Sequence, residues 1–396
     1  MEQRKKDLEE LDKKFLKNFP NYKVEHHFQS CGRIEIIGNH TDHNNGKCIV
    51  ASCDNMNMIC ATSRRSDDLF CVQSEGFPTI EININELKIK KAEYGTSAGL
   101  IRGVLHGIIS KKYKVGGANV YIETTIPRGS GVSSSAAYSL LIGKIISFYY
   151  NDDCISYMSL ARIAKFSENN YFKKESGLLD QIACISRGFT YIDFESGSRP
   201  TLRNYTRNLV GYDIYIIDTK TSHSGLTTEY EKIPADMHYI ANLFDQKVLR
   251  YCDKNAVFAA SKLNKNPEDS IKYTRAIHFF NENDRVDDAF DALISGDTKR
   301  FIKNIKESGE SSKYLLKNMT ESTSPSKSEY EEIYDNLKLM IKDGAIRVHG
   351  GGFGGTLLAI INSDESEEFL AKISEKYPGI AAKKVNPSLD PLKLII

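Results

Sequence analysis

PRGSGVSSSAAYSLLIGKII, residues 127–146, follows the strand-like run NVYIETTI (119–126) and leads into a helical pattern from about Ser134 to Tyr150. Gly129 and Gly131 open the turn, and Ser133, Ser134 and Ser135 stand where the helix begins. Glycines let backbone N–H groups approach an anion closely. Serines can cap the helix, offer hydroxyls and leave its positive end facing a phosphate. G-x-x-x-x-G-K-[ST] is absent, so this is not a Walker A loop. An ordinary strand–turn–helix with a serine cap fits the local physics too; the order Pro-x-Gly-x-Gly-x-Ser-Ser-Ser-Ala-Ala is more particular than that.

Upstream, Leu8, Leu11, Phe15, Leu16 and Phe19 fall at helical spacing before Pro20. From about His26 to Ile89, short β-branched runs (RIEIIG, KCIVA, MNMICAT, LFCVQ, TIEINI) alternate with Gly, Asn and Asp breaks and read as strands and turns. Ala98–Ser110 reads as helix, as does Ile155 to about Phe172, ahead of ESGLLDQ (175–181). Strands FTYIDF (189–194) and YDIYIID (212–218) flank the polar segment RPTLRNYTRN (199–208), the expected inter-domain crossing. Residues 226–342 are mostly helical in pattern, and the end returns to β structure with AIRVHGGGFGGTLLAIIN (345–362), a helix around Glu365–Tyr377 and AAKKVN. The mixture is α+β.

At roughly 100–200 residues per domain, 396 residues suggest two domains or one large one. Lys and Arg number 53 against 52 Asp and Glu, which removes the general electrostatic argument for a nucleic-acid or membrane-surface partner. The eight cysteines include no C-x-x-C pair, so a zinc knuckle or redox dithiol is not indicated. The N-terminus lacks an apolar signal region, and no apolar run approaches the roughly 18–20 residues of a membrane span. A soluble, cytoplasmic protein is expected.

Two further stretches carry chemistry. CGRIEIIGNHTDHNNG (31–46) runs a strand with Arg33 into a turn that crowds Asn39, His40, Asp42 and His43. Three readings are open there: a polar pocket for a hydroxyl-rich ligand, a metal site on His40, Asp42 and His43, and a solvated turn. RVHGGGFGG (347–355) holds five glycines between strand-like flanks; such a loop either approaches a ligand or another backbone closely or is a plain turn cluster.

In this order and spacing the three stretches resemble the galactokinases of the GHMP kinase superfamily. That family's first motif is close to Gly-Arg-x-Asn-x-Ile-Gly-Glu-His-x-Asp-Tyr, matched here by Gly32-Arg33-Ile-Glu35-Ile-Ile-Gly38-Asn39-His40-Thr-Asp42-His43. The Ser-Ser-Ser-Ala run after the glycines and Gly-Gly-Gly-Phe-Gly-Gly at 350–355 match the second and third. Glu168 ahead of Ser176-Gly177-Leu-Leu-Asp180-Gln181, and Arg275-Ala-Ile-His278 with Arg285, extend the likeness over nearly the whole chain.

The resemblance implies a two-domain GHMP fold. A ribosomal-S5-like N-terminal domain (1–200) and a ferredoxin-like C-terminal domain (201–396) would flank a cleft, the last strand being free to pack back on the first domain. It implies ATP- and Mg²⁺-dependent phosphorylation of the C1 hydroxyl of a galactose-like sugar. Asp180 and Arg33 would be the catalytic pair. Asn39, His40, Asp42, Gly177 and Tyr230 would contact sugar, and Gly129, Ser130, Gly131, Ser133, Ser134 and Ser135 would hold the triphosphate. Ser135 with Glu168 would hold Mg²⁺.

The partner expected is a small sugar, with no nucleic acid or membrane, and the protein a monomer or weak homo-oligomer. Asn39 stands where the family has Glu, Glu35 where it has Asn, His43 for Tyr and His349 for Thr. The chain has no Trp, and Ser97 and Leu100 replace adenine-stacking aromatics, which leaves Tyr94 as the substitute. A kinase for another sugar or amino sugar, a non-catalytic sensor and a hydrolase using His40, Asp42 and His43 are the alternatives.

Overall fold

A computed structural model describes residues 2–127, 131–221, 227–321, 324 and 326–395. The N-terminal half is built on two long strands, β1 (His26–Ile37) and β2 (Lys47–Arg64), paired antiparallel. β2 is long enough to serve two further partners: its first residues pair with β6 (Phe189–Asp193) and its last with β5 (Ala118–Thr124). β3 (Leu69–Ser74) runs parallel to β5 and antiparallel to β4 (Ile80–Asn83), while β7 (Thr201–Tyr205) pairs with β6. The C-terminal β12 (Leu392–Ile395) returns to the free edge of β1 and completes an eight-stranded sheet.

Two expectations change here. KCIVA and MNMICAT are one strand, because the polar residues between them face the end of the chain instead of turning. Asp54 N–H donates to the Asn386 carbonyl at 2.8 Å, and the Asn55 amide donates to the Lys384 carbonyl at 2.7 Å. The segment 199–208, expected to be a polar crossing, is half strand, since β7 closes a hairpin on the first sheet.

The second sheet has the order β11–β8–β10–β9, from β8 (Tyr212–Asp218), β9 (Gly344–Val348), β10 (Thr356–Asn362) and β11 (Ala381–Val385). Numbered within the sheet this is 4-1-3-2, the ferredoxin-like arrangement. Strand alternation divides its two faces. Ile214 and Ile216 join the core shared with the first sheet, whereas Tyr215 and Ile217 pack with α10 (Glu329–Met340) and α11 (Ser366–Lys376).

Helices cover the faces of both sheets. On the first sheet, α1 (Glu2–Asn18) places Leu11 and Phe15 against Ala61 and Tyr121. α2 (Ser97–Ser110), α3 (Ser134–Tyr150), α4 (Tyr157–Ser167) and α5 (Leu179–Cys184) contribute to its large core. α6 (Thr227–Leu243) and α7 (Lys254–Leu263) pack on the long α8 (Pro267–Ser295), which with α9 (Thr298–Ser311) spans both sheets. Phe290 of α8 meets the Tyr191 ring at 5.1 Å, and Phe301 of α9 meets Phe189 at 6.3 Å. No helix among the described residues is long and apolar enough to cross a membrane.

Candidate active site

A cleft of about 520 Å³ opens where β1, the loop before α3, the segment leading into α5 and the loop between β9 and β10 converge. All three quoted stretches line it. Gly129 and Ser130 lie outside the described residues; Gly131, Ser133, Ser134 and Ser135 are in the wall.

Arg33 ties the parts together. Its Nε and Nη2 donate to Asp180 Oδ1 at 3.0 and 2.7 Å, and Nη1 donates to the Gly131 carbonyl. One guanidinium thus links the first turn of α5 to the glycine-rich loop, and its own backbone N–H donates to the Val132 carbonyl at 3.1 Å. Burial favours the neutral form of Asp180, but the Arg33 charge, with Lys174 at 3.9 Å, outweighs it and holds the carboxyl at about 2.

Ser133 does not cap α3. It occupies the N-cap position at φ 60°, in the left-handed region, and makes no side-chain cap bond. The expected local use of the hydroxyl gives way to a backbone bend that turns the chain from the loop into the helix.

Ser135, the second residue of α3, donates to Glu168 Oε1 at 2.5 Å. The expected helix through Phe172 is α-helical only to Ser167; residues 168–172 widen into a π-helical turn, a device frequent at functional sites. Glu168 opens that turn. Fully buried, it also accepts from Ser176 Oγ at 2.6 Å and Gln181 Nε2 at 2.8 Å. The hydroxyl and carboxylate are hard oxygen donors suited to Mg²⁺, and the neighbouring Gln181 Oε1 is buried without a partner among the described residues, so the residues fit that ion.

Across the cleft, Tyr230 lies over Gly351, where a Cβ would come within 2.6 Å of its ring. The His40 ring is 5.1 Å from Tyr230 and 5.6 Å from His43. Burial, with His43 beside it, pulls His40 down to about 3. The ring is therefore neutral near pH 7. Its Nε2 donates to the Gly351 carbonyl at 3.0 Å, leaving Nδ1 a buried acceptor without a partner among the described residues.

Asp42 Oδ2 sits 3.0 Å from where a Gly177 Cβ would be, so only glycine leaves that oxygen clear. His43 Nε2 stands 3.5 Å from Asp42 Oδ1. Among the described residues no three His, Cys, Asp or Glu side chains are grouped to hold a metal; His40 is spent on a carbonyl instead.

Asn39 is the residue whose surroundings the sequence did not foretell. Its Nδ2 donates to the Gly350 carbonyl at 2.7 Å and to Glu35 Oε1 at 3.2 Å, and its Oδ1 accepts from Asn318 Nδ2 at 2.8 Å. Its backbone is gripped from behind by α8: Glu282 Oε1 accepts from Gly38 and Asn39 N–H at 3.0 and 3.3 Å, and His278 Nε2 donates to the Asn39 carbonyl at 2.9 Å. Arg347, wholly buried, donates to the Glu35 carbonyl and to Glu35 Oε1 at 2.9 and 3.0 Å.

His349 Nε2 accepts the Glu35 N–H at 3.2 Å, so its proton sits on Nδ1 and is donated to Thr356 Oγ1 at 3.0 Å. Burial, Arg33 and Arg347 push this imidazole well below its ordinary value. An arginine inside the apolar strand AIRVH was the available signal that a buried acid waits opposite. The proposed adenine position is less well placed: Leu100 is in the core, and Tyr94 lies outside the cleft wall with Lys173 5.5 Å over its ring.

Comparison with known proteins agrees with this arrangement. Residues 99–188 match the GHMP kinases N terminal domain, 289–379 the GHMP kinases C terminal family, and 13–64 the galactokinase galactose-binding signature. The chain belongs to the GHMP kinase superfamily.

A galactokinase of Clostridium tetani (strain Massachusetts / E88) is 27% identical over 382 residues, 96% of this chain and 94% of that protein. One from Lactobacillus helveticus is 29% identical, covering 93% and 94%. In fold, Lactococcus lactis galactokinase complexed with galactose superposes with a TM-score of 0.83 at 23% identity, over 98% of this chain and 99% of that one. Methanococcus jannaschii mevalonate kinase gives 0.65 at 14%, over 92% and 98%. Within the superfamily, its place is among the galactokinases.

Proposed function

We propose that the protein transfers the γ-phosphoryl group of ATP to the C1 hydroxyl of galactose, giving galactose 1-phosphate and ADP. The observation that carries this reading is the Arg33 bridge, which joins a carboxylate to the phosphate loop inside a cleft of sugar size. Phosphoryl transfer asks a protein chiefly to position the nucleophile and neutralise charge.

Asp180 accepts a hydrogen bond from the C1 hydroxyl. Held at about 2, it does not deprotonate that hydroxyl beforehand. The proton passes to the carboxylate as the new O–P bond forms, while the bond from phosphorus to the ADP oxygen breaks. Arg33 then meets the negative charge on the phosphoryl oxygens. Loop N–H groups from Gly131 onward and the Ser134 hydroxyl face the triphosphate, and Ser135 with Glu168 would hold Mg²⁺, which neutralises phosphate charge when bound.

His40 and Asp42, with Gly177 leaving room and Tyr230 covering one face, orient the sugar. The boundary between the two domains falls after β7, and the eight free cysteines suit a reducing cytoplasm. ADP release with Mg·ATP, measured against galactose, N-acetylgalactosamine, glucose, arabinose and mevalonate, tests the reading. Turnover of galactose with the phosphate located on C1 by NMR is the expected result; silence on galactose with turnover of another sugar would replace it.

A further inference from the structure

Asn39 and Glu35 both line the cleft, but they differ in what they can still do. Both Nδ2 hydrogens of Asn39 are donated, its oxygen accepts from Asn318, and it is 1% exposed. An amide has two donors and one acceptor oxygen, so little is left for a ligand. Glu35 commits one oxygen only. Oε1 takes the hydrogen bonds from Arg347 and Asn39, and among the described residues no bond engages Oε2.

A buried ion pair is weak grounds for stability, because desolvating both charges offsets their attraction. What the Arg347–Glu35 pair does achieve is to fix a carboxylate, with its second oxygen open, in the wall of the cleft. Arg33 and Glu35 are two apart on β1 with regular pairing to Ser52 and Val50, so both point to the same face. At about 3.3 Å per residue they stand roughly 6.6 Å apart along the strand, about one hexose ring. Glu35 therefore lies across the ring from the end of the sugar that Arg33 and Asp180 hold.

We infer that Glu35 is the specificity-determining residue at that far end, accepting a hydrogen bond through Oε2 from the C4 or C6 hydroxyl of the sugar. Asn39 is a positioning residue that holds Glu35 against Gly350 and Asn318 without touching sugar. This rests on the galactokinase reading and adds to it the group that selects the substrate.

Calorimetry with galactose and its 2-deoxy, 4-deoxy and 6-deoxy forms, on the wild type and Glu35→Gln, tests it. In the wild type, loss of either the 4- or the 6-hydroxyl should weaken binding about tenfold to a hundredfold, the range of a hydrogen bond to a charged group. In Glu35→Gln that same penalty should shrink to within about threefold, whereas the penalty for the 2-hydroxyl should not change. The double variant Glu35→Gln/Arg347→Met removes both buried charges together and carries the comparison if the single variant does not fold.

The same penalties in wild type and variant, with galactose still turned over, would make Glu35 a mere anchor for Arg347 and overturn this inference alone. A wild type that binds none of the four sugars would overturn the galactokinase reading with it.

Discussion

Asp180 is held at about 2 by the Arg33 guanidinium, which also donates to the Gly131 carbonyl of the glycine-rich loop, and this sets what its removal should do. In Asp180→Asn the amide can still accept from the sugar hydroxyl but takes no proton and leaves Arg33 without its counter-charge. Turnover should fall about a thousandfold, within the range for losing a positioned acid–base group, while galactose binding changes little. Single-turnover kinetics beside calorimetry separates the two. Because Asp180 stays charged far below neutrality, it should contribute no acid limb to kcat/KM between pH 5 and 8; a limb there that vanishes in Asp180→Asn would contradict the assignment. Gly351→Ala is the corresponding steric test. Its new Cβ would come within 2.6 Å of the Tyr230 ring and displace it from the cleft, so KM for galactose should rise about tenfold with a smaller change in kcat.

At the scale of elements, Ser135, Glu168 and Asp180 stand at element ends whereas Arg33 and Glu35 lie inside β1, and the ends were the legible part of the sequence. The strand–turn–helix at 119–150, the Asp180 turn and the glycine loop are local patterns, so residue order revealed them. The contacts behind them are not local. Glu35 meets Arg347 across the two sheets, Asn39 meets Asn318, and Glu282 in the middle of α8 receives the N–H groups of Gly38 and Asn39. Periodicity can say that such residues fall on a buried face but not which polar group faces them. Strand breaks at Asp54 and Asn55 misled for the same reason, since their partners lie near residue 385. Glu282 is therefore the element-scale test. It accepts from Ser308 and Arg285 as well, and Glu282→Gln leaves the Arg285 charge in a largely buried site. Unfolding in urea should show a loss of about 3 kcal/mol at unchanged m. Ser135→Ala should instead leave stability nearly unchanged and raise the Mg²⁺ needed for half-maximal rate about tenfold, as expected for a lost ligand or its orienting partner.

Over the whole molecule, the two sheets share one core: Ile214, Ile216 and Leu358 from the second pack in the same cluster as Phe189, Val50 and Phe290. Unfolding that exposes one sheet's inner face exposes the other's, so a single transition is expected and its pH dependence reports all buried titrating groups together. Three of these are imidazoles, His40, His278 and His349, each lowered chiefly by burial. At His278 the nearby Glu282 opposes that shift, while Arg285 and Arg347 reinforce it. An imidazole lowered in the folded state binds its proton first when unfolded, so its contribution is complete above about pH 6.5 and declines as pH falls toward the folded value. For His40, folded at about 3, the 1.5 units between 6.5 and 5 correspond to about 2 kcal/mol lost at pH 5. The depressed carboxyls of Asp180 and Glu282, both at about 2, act in a lower window: their contribution holds above about pH 4.5 and is lost as pH falls through 2. Stability should therefore begin to drop below about pH 6.5 in a first, histidine stage that runs on toward pH 3, and should fall more steeply below about 4.5 as the carboxyls add theirs. His278→Gln isolates one proton of that stage, because an amide can still donate to the Asn39 carbonyl and accept from Ser311. Its urea midpoints between pH 6.5 and 5 should follow a slope shallower by up to about 1.4 kcal/mol per pH unit. An unchanged slope in the variant, or a wild type that gains stability over this interval, would show that the histidines are not buried neutral.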